Sequence, residues 1–190
     1  MGNFKEDIAQ VEAIVLDVDG VMTDGGIIPT PDGDFIRRYD AKDGYAVAYA
    51  IREGYKVCVI SGGRGEMLRR RLEMLGVTRF YLNCMDKTAA IEEFISDYGL
   101  NAENMIYMGD GETDVPCMKI VKMFGGNSIA VYNPDIKKKV NVAKKLLRQH
   151  RVNFITPARY TKESRTYEVV CAIIDKIKAD FDLAKLAKSK

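Results

Sequence analysis

Apolar positions along this chain fall into short runs separated by stretches of helical period, and each run stops at a polar or glycine-rich cluster. Residues 13–16, 55–60, 80–82, 105–108 and 128–132 are such runs and predict buried strands, with a short sixth at 153–156. Between them the pattern predicts helices over 43–52, 65–75, 87–98, 115–123 and 167–181, leaving a frayed tail at 183–190. Another helix follows from Val140, Ala143, Leu146 and Leu147, which recur at helical spacing inside the basic stretch from Lys137 to Arg151. Strands that alternate with helices predict a Rossmann-like α/β fold, a parallel sheet with helices on both faces. Residues 26–28 and 34–38 flank Pro29-Thr30-Pro31-Asp32-Gly33 and predict a β-hairpin inserted at about 24–40, after the first strand.

The clusters that end these strands carry the chemistry. Asp17-Val18-Asp19-Gly20 follows the first strand, Ser61-Gly62-Gly63-Arg64 the second, Asp86-Lys87 the third, and Gly109-Asp110-Gly111-Glu112-Thr113-Asp114 the fourth. Ligands of open parallel sheets bind outside the carboxyl ends of the strands, so groups far apart in sequence can converge there. Acids from the first and fourth loops suit Mg²⁺, which takes one or two carboxylates together with waters and phosphate oxygens. A hydroxyl and an ammonium can grip the other oxygens of a phosphoryl group, whose transfer depends on positioning and charge neutralisation. Asp17 is then the natural nucleophile, and Asp19 can protonate the leaving alcohol and afterwards activate water.

In order and spacing, Asp17-Val18-Asp19-Gly20-Val21-Met22-Thr23, Ser61, Lys87 and Gly109-Asp110 with Asp114 resemble the four motifs of the haloacid dehalogenase superfamily. The resemblance implies Asp17 as nucleophile, Asp19 as acid/base, and Ser61 and Lys87 as phosphate ligands. It also implies Mg²⁺ held by Asp17, the Asp19 carbonyl and Asp110, with Asp114 binding it directly or through water. Thr23-Asp24-Gly25, the stretch from Arg38 to Tyr45 and the Ser61 loop are similar to the 3-deoxy-D-manno-octulosonate 8-phosphate (KDO 8-phosphate) phosphatases. Those enzymes are implied to lack a cap domain and to assemble as homotetramers. The similarity extends to about Met118. Beyond it, Thr156-Pro157-Ala158-Arg159-Tyr160-Thr161 replaces the Gly-Gly-Arg-Gly segment usual in that family before the last helix.

Neither interval between the motifs, Asp19 to Ser61 or Ser61 to Lys87, leaves room for a cap, since domains usually run to ~50 residues or more. A single domain over 1–190 is expected, its pocket open unless another subunit covers it. Arg64, beside the phosphate site, and Lys42 and Asp43, before the first helix, are further candidates for substrate contact, with Gly62 beside Ser61. Arg69-Arg70-Arg71 lies on a helix, where successive side chains diverge and cannot form one clamp.

Composition narrows the partners. With 190 residues, 47% of them hydrophobic, one domain can bury a core without disulfides, and the four cysteines show no metal-type spacing. A net charge of +2 and a basic helix without interleaved aromatics argue against nucleic acid. No apolar run nears ~18 residues, so no membrane span is expected and a cytoplasmic protein is. Met1-Gly2 would open a myristoylation signal, but Glu6 stands where Ser or Thr is required. The sole histidine, His150, excludes His-based triads and zinc sites. A signalling receiver domain also combines acids, a hydroxyl and a lysine, but its phosphorylated Asp follows the third strand. A silent scaffold would have no need of four intact motifs. The expected partner is a small phosphorylated metabolite: a sugar-acid phosphate, another sugar phosphate or a nucleotide.

Overall fold

The computed structural model describes residues 10–188. In chain order these form β1 (Ala13–Leu16), β2 (Ile28–Pro29), β3 (Phe35–Ile36), α1 (Ala41–Arg52), β4 (Lys56–Ile60), α2 (Glu66–Met74), β5 (Arg79–Tyr81), α3 (Lys87–Tyr98), β6 (Met105–Gly109), α4 (Val115–Met123), β7 (Asn127–Tyr132), α5 (Lys137–Arg148), β8 (Phe154–Pro157) and α6 (Arg165–Lys188). The reading at Met1, Gly2 and Glu6, and the last two residues of the tail, lie outside the described residues.

Six strands form one parallel sheet in the order β5-β4-β1-β6-β7-β8, and β2 and β3 pair separately as the expected antiparallel hairpin. The chain first builds outward from β1 to β4 and β5, then returns to lay β6 against the other edge of β1. Strand order therefore reverses between β1 and β6, and a crevice opens above their carboxyl ends.

Alternation along the strands sends side chains to two helical layers. Ala13, Val15, Cys58, Ile60, Met105 and Tyr107 pack with Phe94 of α3, Met118 of α4 and Leu146 of α5. On the other face Ile106, Ile129 and Val131 meet Val169, Ile173 and Ile177 of α6, while Val59 meets Leu68 and Leu72 of α2. Burying ~25 cal/mol per Å² of apolar surface on both faces is what makes the sheet's central strands rigid supports. All four cysteines are free.

Among the helix boundaries that differ from the pattern-based expectation, two have a local cause. α1 starts at Ala41, not 43, because the Asp40 carboxylate accepts from Lys42 N and caps the helix there. α6 runs on to Lys188, through the tail expected to fray, because Leu183, Ala184, Lys185, Leu186 and Ala187 are strong helix formers. No helix among the described residues is long and apolar enough to cross a membrane.

Candidate active site

The loop after β1 folds back on itself as soon as the strand ends. Asp17 N still donates to Met108 O at 3.0 Å, keeping Asp17 in the ladder beside β6, after which Val21, Met22 and Thr23 N–H groups all converge on Val18 O. The Thr23 hydroxyl accepts from Gly20 and Gly25 N–H, so one side chain closes the turn. Gly20 has φ +90°, and a Cβ there would run into the Asp110 carboxylate. The first and fourth motifs thus touch, and only glycine lets them.

Each remaining motif is placed by its own local bonds. Ser61 N donates to Tyr81 O and Ser61 O accepts from Cys84 N, which fixes the residue across the β4–β5 edge. Its hydroxyl oxygen accepts from Gly63 N at 3.0 Å, leaving the hydroxyl proton to donate to a ligand. Asp86 accepts from Thr88 and Ala89 N–H and caps α3, so Lys87 is the first helical residue and points into the crevice. Gly109 is required because a Cβ would strike Asp114.

Lys87 bridges two acids from different strands: Nζ lies 3.1 Å from Asp17 Oδ1 and 2.7 Å from Asp114 Oδ1. Asp114 is fully buried and saturated, since Tyr107 OH donates to Oδ1 at 2.9 Å and Gly111 N to Oδ2 at 3.2 Å. Burial, then the Asp114 charge, pushes the Asp17 carboxyl up to about 7 against the pull of Lys87. Burial likewise raises Asp110, against Lys139, whose Nζ is 2.7 Å from Asp110 Oδ2. Burial alone would lower Lys87, but Asp114 and Asp17 outweigh it and hold the ammonium charged.

Carboxylate oxygens of Asp17, Asp110 and Asp114 lie within 4.8 Å of one another. Asp17 Oδ1 is buried and meets no donor at hydrogen-bonding geometry. The Lys87 ammonium offsets only part of the charge that three clustered carboxylates gather, and a hard cation fits that all-oxygen donor set. Asp17 and Asp110 line the cavity and can ligate, Asp110 by giving up its bond to Lys139, and Asp114 joins the same cluster while also holding Lys87.

A cavity of about 450 Å³ opens over these groups, lined by Asp17, Asp19, Ser61, Gly62, Arg64, Lys87 and Asp110 among the expected residues. Lys42 and Asp43 begin α1 and do not line it. Asp43 instead stands near Tyr160, whose hydroxyl donates to Val21 O at 3.1 Å; burial, then the charges of Asp43 and Asp110, raise that hydroxyl. Arg64 stacks over the Phe35 ring. Arg69, Arg70 and Arg71 diverge as expected, to Phe80, Glu66 and Tyr39.

Several lining residues escaped the sequence reading: Ile27, Phe35 and Arg37 from the hairpin, Asn83 and Thr113. Arg37 matters most, because its guanidinium is 2% exposed and grips Asp19. Strand alternation carried the signal, since Phe35 and Arg37 share a face and Ile36 takes the other.

No protein-family model matches the chain. Over 132 residues it is 30% identical to the KDO 8-phosphate phosphatase KdsC of Haemophilus influenzae, covering 70% of this chain and 71% of that protein. The chain belongs to the KDO 8-phosphate phosphatase family. That family comprises phosphoric monoester hydrolases of the haloacid dehalogenase type. The crystal structure of the KDO 8-phosphate phosphatase from Yersinia pestis superimposes with a TM-score of 0.67 at 26% identity, covering 94% of this chain and 88% of that one. The Moraxella catarrhalis enzyme, crystallised with a magnesium ion, a phosphate ion and a KDO molecule, shares the fold at a TM-score of 0.64 and 23% identity, covering 98% and 97%. A family resemblance read from four motifs is therefore matched by sequence over most of the chain and by the fold.

Proposed function

We propose that the protein is a Mg²⁺-dependent phosphomonoesterase that hydrolyses a small sugar-acid phosphate, KDO 8-phosphate foremost, through a phosphorylated Asp17. The observation that carries this reading is the buried Asp17 carboxylate lining the cavity, facing Lys87 at 3.1 Å and grouped with Asp110 and Asp114.

In this scheme the Asp17 carboxylate attacks phosphorus, the ester P–O bond breaks, and the leaving oxygen takes a proton from Asp19. Asp19, now a carboxylate, removes a proton from water, which attacks the acyl phosphate and releases inorganic phosphate. Ser61 donates its hydroxyl proton to a phosphoryl oxygen, and Lys87 neutralises another while steadying Asp17. Asp17, Asp110 and the Asp19 carbonyl would hold the cation, which supplies charge neutralisation that lets a carboxylate approach a phosphate. Asp114 fixes Lys87. Arg64 is proposed to face the sugar acid, whereas Lys42 and Asp43 stand outside the cavity. A cavity of about 450 Å³ accommodates a substrate of this size.

Self-association belongs to the same proposal. Ile27, Ile28 and Ile36 of the hairpin are exposed, and the two-stranded ribbon has free edges, so a second copy of the chain would cover it in a homotetramer.

Turnover of KDO 8-phosphate, other sugar-acid phosphates, sugar phosphates and nucleotides, each with Mg²⁺ and with chelator, tests the reading. The expected result is Mg²⁺-dependent phosphate release with the highest kcat/KM on KDO 8-phosphate. A higher kcat/KM on a neutral sugar phosphate or a nucleotide would reassign the substrate, and a silent panel would remove the enzyme reading.

A further inference from the structure

Lys139 does not behave like the rest of its basic run. It lies on the same stripe of α5 as the buried Ala143 and Leu146, four and seven residues on, and that stripe brings its ammonium to Asp110. The three clustered carboxylates Asp17, Asp110 and Asp114 face two ammonium groups, and the two are held differently. Lys87 is 5% exposed and fixed between two acids; Lys139 is 43% exposed and rests on Asp110 alone. One is built into the core, while the other swings on a flexible four-carbon stem that solvent can reach.

We propose that Lys139 is a displaceable counter-ion that sets the cation affinity of this site, a role that rests on reading Asp17 and Asp110 as ligands. Its ammonium offsets one of the charges a divalent cation needs, and a cation drawn to Asp110 must overcome that pairing and the repulsion of the ammonium itself. The site then binds Mg²⁺ more weakly than its carboxylates alone would allow, and answers to changes in cation supply instead of staying saturated.

The test is calorimetric titration of Mg²⁺ into chelator-treated full-length protein, alongside thermal unfolding in chelator. Lys139→Met is expected to bind Mg²⁺ roughly fivefold more tightly, the scale of a partly exposed ion pair. It should also unfold at lower temperature in chelator, because Asp110 loses its partner. Lys139→Arg, which keeps the charge, should stay within about twofold of the parent. Lys145→Met, which removes another cation of α5, one 3.9 Å from Glu112, should do the same. Unchanged or weaker Mg²⁺ binding by Lys139→Met, with the parent binding normally, overturns the role of Lys139 and leaves the metal reading intact. A parent that takes up no Mg²⁺ removes both.

Discussion

Arg37 holds both carboxylate oxygens of Asp19, with Nε 2.8 Å from Oδ1 and Nη2 3.2 Å from Oδ2. A forked, planar grip fixes the orientation of a carboxylate as a single ammonium does not. The hairpin that carries Arg37 is thus part of the apparatus that aims the acid/base group. Arg37→Met is expected to lower kcat about 10- to 100-fold, the range set by small misplacements of a reacting group. Arg37→Lys should recover only part of the loss. Steady-state kinetics with a soluble phosphate ester measures this, and an unaltered kcat would mean that Asp19 is aimed without the hairpin.

Asp17, the nucleophile of the proposed scheme, destabilises the fold when it is ionised. Its carboxyl is raised to about 7 by burial and by Asp114, far above the ~3.9 of an unfolded aspartate. Such a group favours the native state most below the unfolded value, and that contribution is lost as pH rises from ~4 to about 7. Asp17→Asn should abolish turnover yet melt at higher temperature than the parent in chelator. The gap in melting temperature should widen between pH 5 and 7.5. Calorimetric scans across that range check the sign.

Lys87, a phosphate ligand in the proposed scheme, is also structural. Removing it strands two buried acids, and breaking a buried pair costs about 3–5 kcal/mol. Lys87→Met should therefore lose activity and several degrees of melting temperature together. Adding Asp114→Asn to that variant should restore part of the stability and none of the activity. Denaturant unfolding of the two single variants and the double variant gives the coupling.

Charging the exposed face of the hairpin tests assembly without touching the cavity. Ile28 is exposed on β2 and does not line the site. If the hairpin seats the proposed tetramer, Ile28→Glu is expected to lower the sedimentation coefficient toward that of a monomer at micromolar concentration. An unchanged sedimentation coefficient would place the contact elsewhere.

How much of this was legible before the fold depended on whether a residue sits in a motif or on a stripe. Asp17, Ser61 and Asp110 follow directly on strands and Lys87 opens a helix, and such ends are readable because apolar runs stop and capping residues start there. Arg37 and Lys139 stand in no motif. Lys139 was hidden by its neighbours, because a run of lysines reads as a solvated face even when one of them shares a register with Ala143 and Leu146. Arg37 was hidden by distance, since nothing local ties residue 37 to residue 19. Asp114 entered as a cation ligand, directly or through water, and it does cluster with Asp17 and Asp110, while its contacts with Tyr107, Gly111 and Lys87 were not legible from the motif. The exact start of α1 turned on Asp40, a capping choice made by one side chain.

Asp34, where the turn of the hairpin enters β3, accepts from Met67 N with one oxygen and from Phe35 N with the other. It supplies the cap that Gly65, lacking a side chain, cannot give α2. The ribbon and the Ser61 loop are consequently stitched at a common seam and have to move as one body. Trimming the ribbon away to widen the entrance would unpin the phosphate loop along with it, so engineered access to larger substrates has to come from changing side chains such as Ile27 and Phe35 and leaving the backbone in place.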